Sequence, residues 1–255
     1  MDDWYASATG ACALRAQQDL LRRCLAPRRR AGRSLLEVHC GEGRFLPLLM
    51  ECGFDVTAAD PRPECRAAAA ALEPRAEIVA AAGDCLPFED DAFDHVLLHL
   101  ATDAPEALDA ALHEAFRVAV AGLAVTFWNA FSVPSLLHRL RGRRPSWPGP
   151  VCSWWRVWRG LRALRGGCIS AASIFACPER FWNAGDAASS SSARLWAPVG
   201  AWCVLLLDMS PSRPVTPLPL RLERRSLGSP APAMEYGECG HKTQANAANS
   251  EPTAP

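Results

Sequence analysis

The chain has 255 residues, 27 basic and 27 acidic side chains, and 49% hydrophobic residues. That length supports one α/β domain with a full core, and a net charge of zero gives no overall pull toward nucleic acid, so no such partner is expected. The basic residues are almost all arginine, and the sole lysine, Lys242, lies in the polar C-terminal stretch, which excludes Schiff-base, P-loop and kinase-type lysine chemistry from the foldable part.

Residues 1–33 read as an N-terminal helix, Ala11 to Leu25, and a basic linker holding Arg28-Arg-Arg30, more plausible as a solvated run than as a phosphate contact. Met1-Asp-Asp-Trp-Tyr is acidic and aromatic, unlike a secretory signal. Eleven cysteines, odd in number and without a C-x-x-C pair, read as reduced thiols, so a cytoplasmic location is expected. Cys239-Gly-His241 is too little for a metal site, and no metal is expected. No apolar run reaches the about 18 residues that cross a bilayer.

From Ser34 short apolar runs alternate with helical stretches. Strands are expected at 34–39, 54–59, 77–81, 94–100 and 122–127, and helices at 44–52, 62–72 and 105–118. Such alternation means a parallel sheet with helices on both faces and ligands beyond the carboxyl ends of the strands. Glu37, Gly41, Asp60, Asp84 and His99 all fall at those ends. Glu37-Val-His-Cys-Gly-Glu-Gly43 is a strand end followed by a glycine turn. Glycines let a backbone bend sharply and come close to a ligand. Asp60, at the tip of the second strand, can accept from ribose hydroxyls. The third glycine of a dinucleotide fingerprint is missing, so the turn suits pyrophosphate poorly.

Glu37, Gly41 and Gly43 resemble motif I of the class I S-adenosylmethionine (SAM)-dependent methyltransferases, in which His39 stands where a glycine is usual. Gly83-Asp84-Cys-Leu-Pro-Phe-Glu-Asp-Asp-Ala-Phe-Asp94-His-Val is similar to the signature of the type 11 branch of that family. Glu106 to Val118 resembles the helix that follows. The resemblance implies a transferase that binds SAM through Glu37, His39, Gly41, Gly43, Asp60, Asp84, Cys85 and His99, with Asp84 reaching the adenine amino group and the neighbouring backbone reading the ring. It implies that the N-terminal helix lies over the cofactor, where Trp4 and Tyr5 either help close the site or pack in the core. It implies a Rossmann-like, mostly parallel seven-stranded sheet, closed by an antiparallel pair from Cys168–Cys177 and Leu195–Met209. The expected acceptor is a small molecule.

Methyl transfer needs no fixed catalytic residue. His99 is a weak candidate base, and packing or a backbone bond is the stronger reading. Trp128 and Asn129 are candidates for lining the acceptor pocket. His39 raises a second reading, a non-catalytic module that keeps the fold, because a side chain there adds bulk near the ligand. The intact neighbours argue that the imidazole turns away, toward the following helix, and leaves the pocket open.

Leu136 to Arg144 is basic, and Pro145 to Pro150 is a break. Trp154 to Arg165 is an amphipathic helix with Trp154, Trp158, Leu161 and Leu164 on one face. It either covers the sheet edge or makes a weak membrane-surface contact. Residues 34–209 are read as the methyltransferase domain. The Ser189–Ser192 link reads as a flexible loop, and residues 210–255 as a disordered tail without apolar periodicity. The oligomeric state is open.

Overall fold

The computed structural model describes residues 4–102, 104–164, 168–179, 182 and 199–209. The readings of the Ser189–Ser192 loop, the 210–255 tail and Cys239–His241 fall outside these residues, as does the start of the strand expected from Leu195.

Among the described residues eight strands and six α-helices follow in order: α1 (Ala8–Leu25), β1 (Ser34–Val38), α2 (Leu46–Glu51), β2 (Asp55–Ala59), α3 (Pro63–Leu72), β3 (Glu77–Val79), β4 (Phe93–His99), α4 (Pro105–Arg117), β5 (Ala119–Asn129), α5 (Val133–Leu140), β6 (Val151–Cys152), α6 (Trp154–Ala163), β7 (Cys168–Ile174) and β8 (Trp202–Asp208). The sheet runs β3-β2-β1-β4-β5-β8-β7. Strands β1 to β5 pair in parallel, while β8 pairs antiparallel with both β5 and β7. The expected seven-stranded sheet with a closing antiparallel pair is therefore present. The two-residue β6 adds a short parallel pairing at the end of β5, Trp128 with Val151 and Asn129 with Cys152.

Central strands covered on both faces carry apolar residues at successive positions, and the two-residue period sends neighbours to opposite sides. Leu35, Leu97, Ala124 and Val204 join one core layer with residues of α1 and α2. Leu36, Leu98, Val125 and Leu205 join the other with residues of α4 and α6. The order reverses between β1 and β4, with β2 on one side and β4 on the other, which opens a crevice at their carboxyl ends.

The stripe of α6 is spent in this second layer. Trp154, Val157, Leu161 and Leu164 are buried there and Trp158 packs against it, which agrees with the covering role and leaves Trp155 as the exposed tryptophan of the helix. At Gly160 a β-carbon would come within 2.7 Å of Leu112 Cδ1, so glycine lets α6 approach α4 closely. No described helix is long and apolar enough to cross a membrane.

Candidate functional site

The site forms where the loops after β1, β2, β3 and β4 meet. The turn after β1 is built from left-handed residues: φ is +57° at His39, +58° at Gly41 and +77° at Gly43. A β-carbon on Gly43 would come within 2.8 Å of Leu46 and 2.9 Å of Ala69, so this glycine serves helix packing. A β-carbon on Gly41 would meet only Arg62 Nη2, at an ordinary contact distance of 3.9 Å, so nothing crowds this glycine. α2 starts at Leu46, two residues later than the sequence suggested, because residues 41–45 stay in the turn.

His39 does not turn toward α2. Its Nδ1 lies 2.9 Å from the His99 carbonyl oxygen, and its Nε2 is 3.2 Å from the Gly83 N–H. A carbonyl can only accept, so Nδ1 carries the proton and Nε2 accepts from Gly83. The imidazole thus laces β1 to the end of β4 and to the loop after β3. It sits so close to Gly83 that a β-carbon there would be 2.4 Å from His39 Cε1. Burial lowers the His39 pKa against the bond to His99, which agrees with a neutral ring.

Asp60 is fully buried. Its carboxylate accepts from the Gly41 N–H at 2.9 Å, the Arg62 N–H at 3.0 Å, Arg62 Nε at 3.0 Å and Arg62 Nη2 at 3.1 Å. Burial pushes this carboxyl up, but the Arg62 and Gly41 bonds outweigh it and hold it below the usual range. Arg66 also folds back, donating to the Asp60 and Pro61 carbonyls.

Glu37 is fully buried at the end of β1. Its Oε1 lies 2.9 Å from His99 Nε2, while Oε2 is buried without a hydrogen-bond partner in the protein. His99 Nδ1 lies 2.6 Å from Thr126 Oγ1, and Phe45 stacks on the ring with centroids 5.1 Å apart. Both ring nitrogens of His99 are therefore engaged. Between Glu37 and Asp60, burial together with these two carboxylates pushes the Cys40 thiol up to about 12, so it stays protonated and inert at neutral pH.

The geometry forms two hydrogen-bonded groups after β1, one of Glu37, His39 and His99 and one of Gly41, Asp60 and Arg62, with Gly43 shaping the turn. Asp84 and Cys85 stand beside it, both exposed, in a loop closed by an Ala82–Cys85 bridge. The N-terminal segment reaches the turn: Gln18 Nε2 donates to the Arg44 carbonyl at 3.0 Å, and the Arg44 guanidinium lies 4.9 Å from the Tyr5 ring centre. Trp4 meets Trp128 edge-on at 5.8 Å. Trp128 is buried among Trp4, Trp147 and Trp182. Asn129 is fully buried and donates to the Gly200 carbonyl while accepting from Phe131 N–H, so it braces the chain and lines no open pocket. Among the described residues no group of three or more His, Cys, Asp or Glu side chains could hold a metal ion.

Three participants escaped the sequence reading. Arg62 carries no signal of its own, because nothing local shows that it folds back onto Asp60. Phe45 and Thr126 matter through contacts that only the assembled sheet creates. Asp94, inside the quoted signature, lies at the opposite end of the sheet. There it accepts from Arg33 N–H, Ser34 N–H and Ser34 Oγ, so its work is structural.

Residues 36–125 match the family model described as a methyltransferase domain. Among solved structures the chain is similar to the magnesium protoporphyrin IX methyltransferase of Synechocystis PCC 6803 with bound SAH, with TM-score 0.59, 14% identity, and 82% of this chain and 89% of that one covered. It is similar to a Pyrococcus horikoshii OT3 protein, with TM-score 0.56, 18% identity and coverage of 76% and 90%. It is also similar to a SAM-dependent methyltransferase of Thermotoga maritima described as a possible histamine N-methyltransferase, with TM-score 0.54, 16% identity and coverage of 76% and 89%. At these identities the likeness is one of fold. No curated protein matches the chain.

Proposed function

We propose that this protein binds SAM in the crevice after β1 and β2 and transfers its methyl group to a small-molecule acceptor, a reading supported by the match of residues 36–125 to the methyltransferase-domain family model and by the Rossmann-like sheet. The observation that carries this reading is Glu37 Oε2, a buried carboxylate oxygen without a protein partner. A buried anionic oxygen costs free energy unless a donor or cation meets it. An α-ammonium group such as that of SAM supplies both. The uncrowded Gly41 and the solvent-facing Asp84 fit the same occupant, which would extend from the turn after β1 toward the loop after β3.

Bound SAM would supply an activated methyl for in-line displacement. The chain's part is to bind, orient and exclude water. Glu37 would hold the ammonium, and His99 would fix the Glu37 carboxylate. Arg62 must leave Asp60 before a ribose hydroxyl can be accepted there. Its side chain is 53% exposed, so it has room to move. Trp4 and Tyr5, next to Trp128 and Arg44, would close the N-terminal segment over the site.

A second reading has its own observation. Asp60 already accepts four hydrogen bonds, and the His39 ring fills the space between Gly83 and His99. A module that keeps the fold without turning over would look the same. Calorimetric titration of the folded protein with SAM and S-adenosylhomocysteine tests cofactor binding. Transfer of tritium from labelled SAM into cell extract then tests catalysis. No heat with either ligand removes the SAM reading. Binding with no labelled product favours the non-catalytic module.

A further inference from the structure

Charge is strongly segregated along this neutral chain. No Asp or Glu occurs between Glu114 and Glu179, while the same stretch holds nine arginines, at positions 117, 139, 141, 143, 144, 156, 159, 162 and 165. Exposed apolar side chains gather in one part of it. Of the seven large hydrophobic residues exposed among the described residues, Phe131, Val133, Leu136 and Leu140 fall within ten consecutive positions, and Leu140 is 84% exposed.

The helix α5 organises these side chains. Ser132 caps it by accepting from the Ser135 N–H, and Ser135 Oγ in turn donates to the Asn129 carbonyl. Pro134 and Ser135 are buried, and His138 bonds to Glu179 and meets Trp147 edge-on. These residues fix the inner face. At 3.6 residues per turn, Val133, Leu136, Leu137 and Leu140 fall within an arc of about 100° on another side, flanked by Arg139 and Arg141. Arg139 lies 5.7 Å from the Phe131 ring centre. Among the described residues no ion pair involves Arg139, Arg141, Arg143 or Arg144. An apolar stripe edged by unpaired guanidinium groups is the pattern of a helix that lies in a lipid interface, its apolar side in the acyl boundary and its cations among anionic headgroups.

We propose that α5 and the Arg141–Arg144 segment after it dock the protein on an anionic phospholipid bilayer. This places the lipid contact on α5, away from α6, whose own apolar face is buried in the core. The choice of a bilayer over a nucleic acid follows from the exposed groups: three of the four are aliphatic, and the one aromatic ring already carries Arg139. α5 directly follows β5 on the rim that bears the candidate site, so docking would bring that rim to the membrane surface. The proposal stands apart from the SAM reading and does not depend on turnover.

Co-sedimentation of the full-length protein tests it, with vesicles of phosphatidylglycerol and phosphatidylcholine in equal parts set against vesicles of phosphatidylcholine alone. The protein should pellet with the anionic vesicles only, and raised salt should release it. Leu136→Glu/Leu140→Glu should weaken that association by at least about tenfold, and Arg141→Gln/Arg143→Gln/Arg144→Gln by a similar factor. These positions are exposed, so the melting temperature should stay that of the unaltered protein. Leu140→Glu alone serves the same purpose if the double variant does not fold. Three results would overturn the proposal: no pelleting with anionic vesicles, equal pelleting with neutral ones, or unchanged binding in the leucine variants. The last, joined to displacement by single-stranded RNA, would make the arginines a general polyanion site.

Discussion

Glu37 and His99 face each other across β1 and β4, with Oε1 2.9 Å from Nε2, and Thr126 completes the row with Oγ1 2.6 Å from Nδ1. The row fixes a carboxylate that has no access to water. Removing the imidazole would leave both Glu37 oxygens buried and unpaired. His99→Ala should therefore destabilise the protein by about 3 kcal/mol, the cost of stranding one member of a buried polar pair. His99→Gln, which keeps a donor, should cost clearly less. Chemical denaturation of the two variants checks this, and equal stabilities would show that Glu37 finds another partner. The same row leaves His99 without a free ring nitrogen to take a proton from an acceptor.

Arg62 competes for the lone pairs that a ribose would need. Deleting its side chain leaves Asp60 with the Gly41 and Arg62 backbone donors and frees the remaining acceptor positions. Because the arginine is half-exposed, its hold on Asp60 is screened by water. Arg62→Ala should therefore tighten SAM by only about threefold to tenfold. Asp60→Ala should weaken SAM by about 1.5–3 kcal/mol, the loss of a charge-assisted hydrogen bond. Calorimetric titration reads both. If Arg62→Ala binds more weakly than the unaltered protein, the guanidinium is itself a ligand contact.

Asp94 is the counter-example within the signature. Its carboxylate ties Arg33 and Ser34, at the start of β1, to the start of β4, and Gly32 approaches it so closely that a β-carbon would be 2.1 Å from Asp94 Cγ. Burial pushes the Asp94 carboxyl up, yet the Ser34 and Arg33 bonds win and hold it below the usual range. A depressed folded pKa means stability that is present above the unfolded value near ~3.9 and is lost as pH falls through the folded one. Asp94→Ala should lower stability at neutral pH by about 2 kcal/mol and flatten its acid limb below about pH 4. SAM affinity should not change, since Asp94 lies at the far end of the sheet. A parallel loss of affinity would contradict a purely structural role.

Strand positions and the turn were legible because each depends on local residues. The apolar runs at Leu35-Leu36 and Leu97-Leu98 mark strands covered on both faces. Gly41 and Gly43 mark a backbone with positive φ. The amphipathic pattern of α6 was equally plain, yet a stripe of that kind fits a membrane or a core, and only packing against α4 and β8 decides between them. Contacts across loops were not legible. The grip of Arg62 on Asp60 and the row through Thr126 join residues whose proximity is set by the closed sheet. The orientation of His39 was misjudged for the same reason, because the groups that hold its ring, Gly83 N–H and the His99 carbonyl, are 44 and 60 residues away in sequence.

His39 combines strain with bonding, and its replacement separates the two. A left-handed conformation costs a residue with a β-carbon about 1–2 kcal/mol, which glycine would recover. Against this stand two hydrogen bonds, each about 1 kcal/mol, and the cost of leaving Gly83 N–H and the His99 carbonyl without their partner. His39→Gly should therefore be less stable by about 1 kcal/mol at neutral pH. Burial holds the folded pKa of His39 down, and does the same for His95, which bonds to the Arg28 carbonyl. The unfolded rings titrate near ~6.5, so below that pH the unfolded state takes up protons that the folded state resists. Stability should be highest above about pH 6.5 and fall toward pH 5. His39→Gly should lessen that slope without abolishing it, because His95 remains. Urea denaturation across this pH range measures the slope, and an unchanged one would show that the His39 ring takes up its proton as readily in the fold as in the unfolded chain. SAM affinity should change by less than about tenfold, since the ring nitrogens are satisfied by the protein and need not move for the cofactor. A gain of a hundredfold or more would mean that the imidazole obstructs the pocket, and the non-catalytic reading would then take precedence.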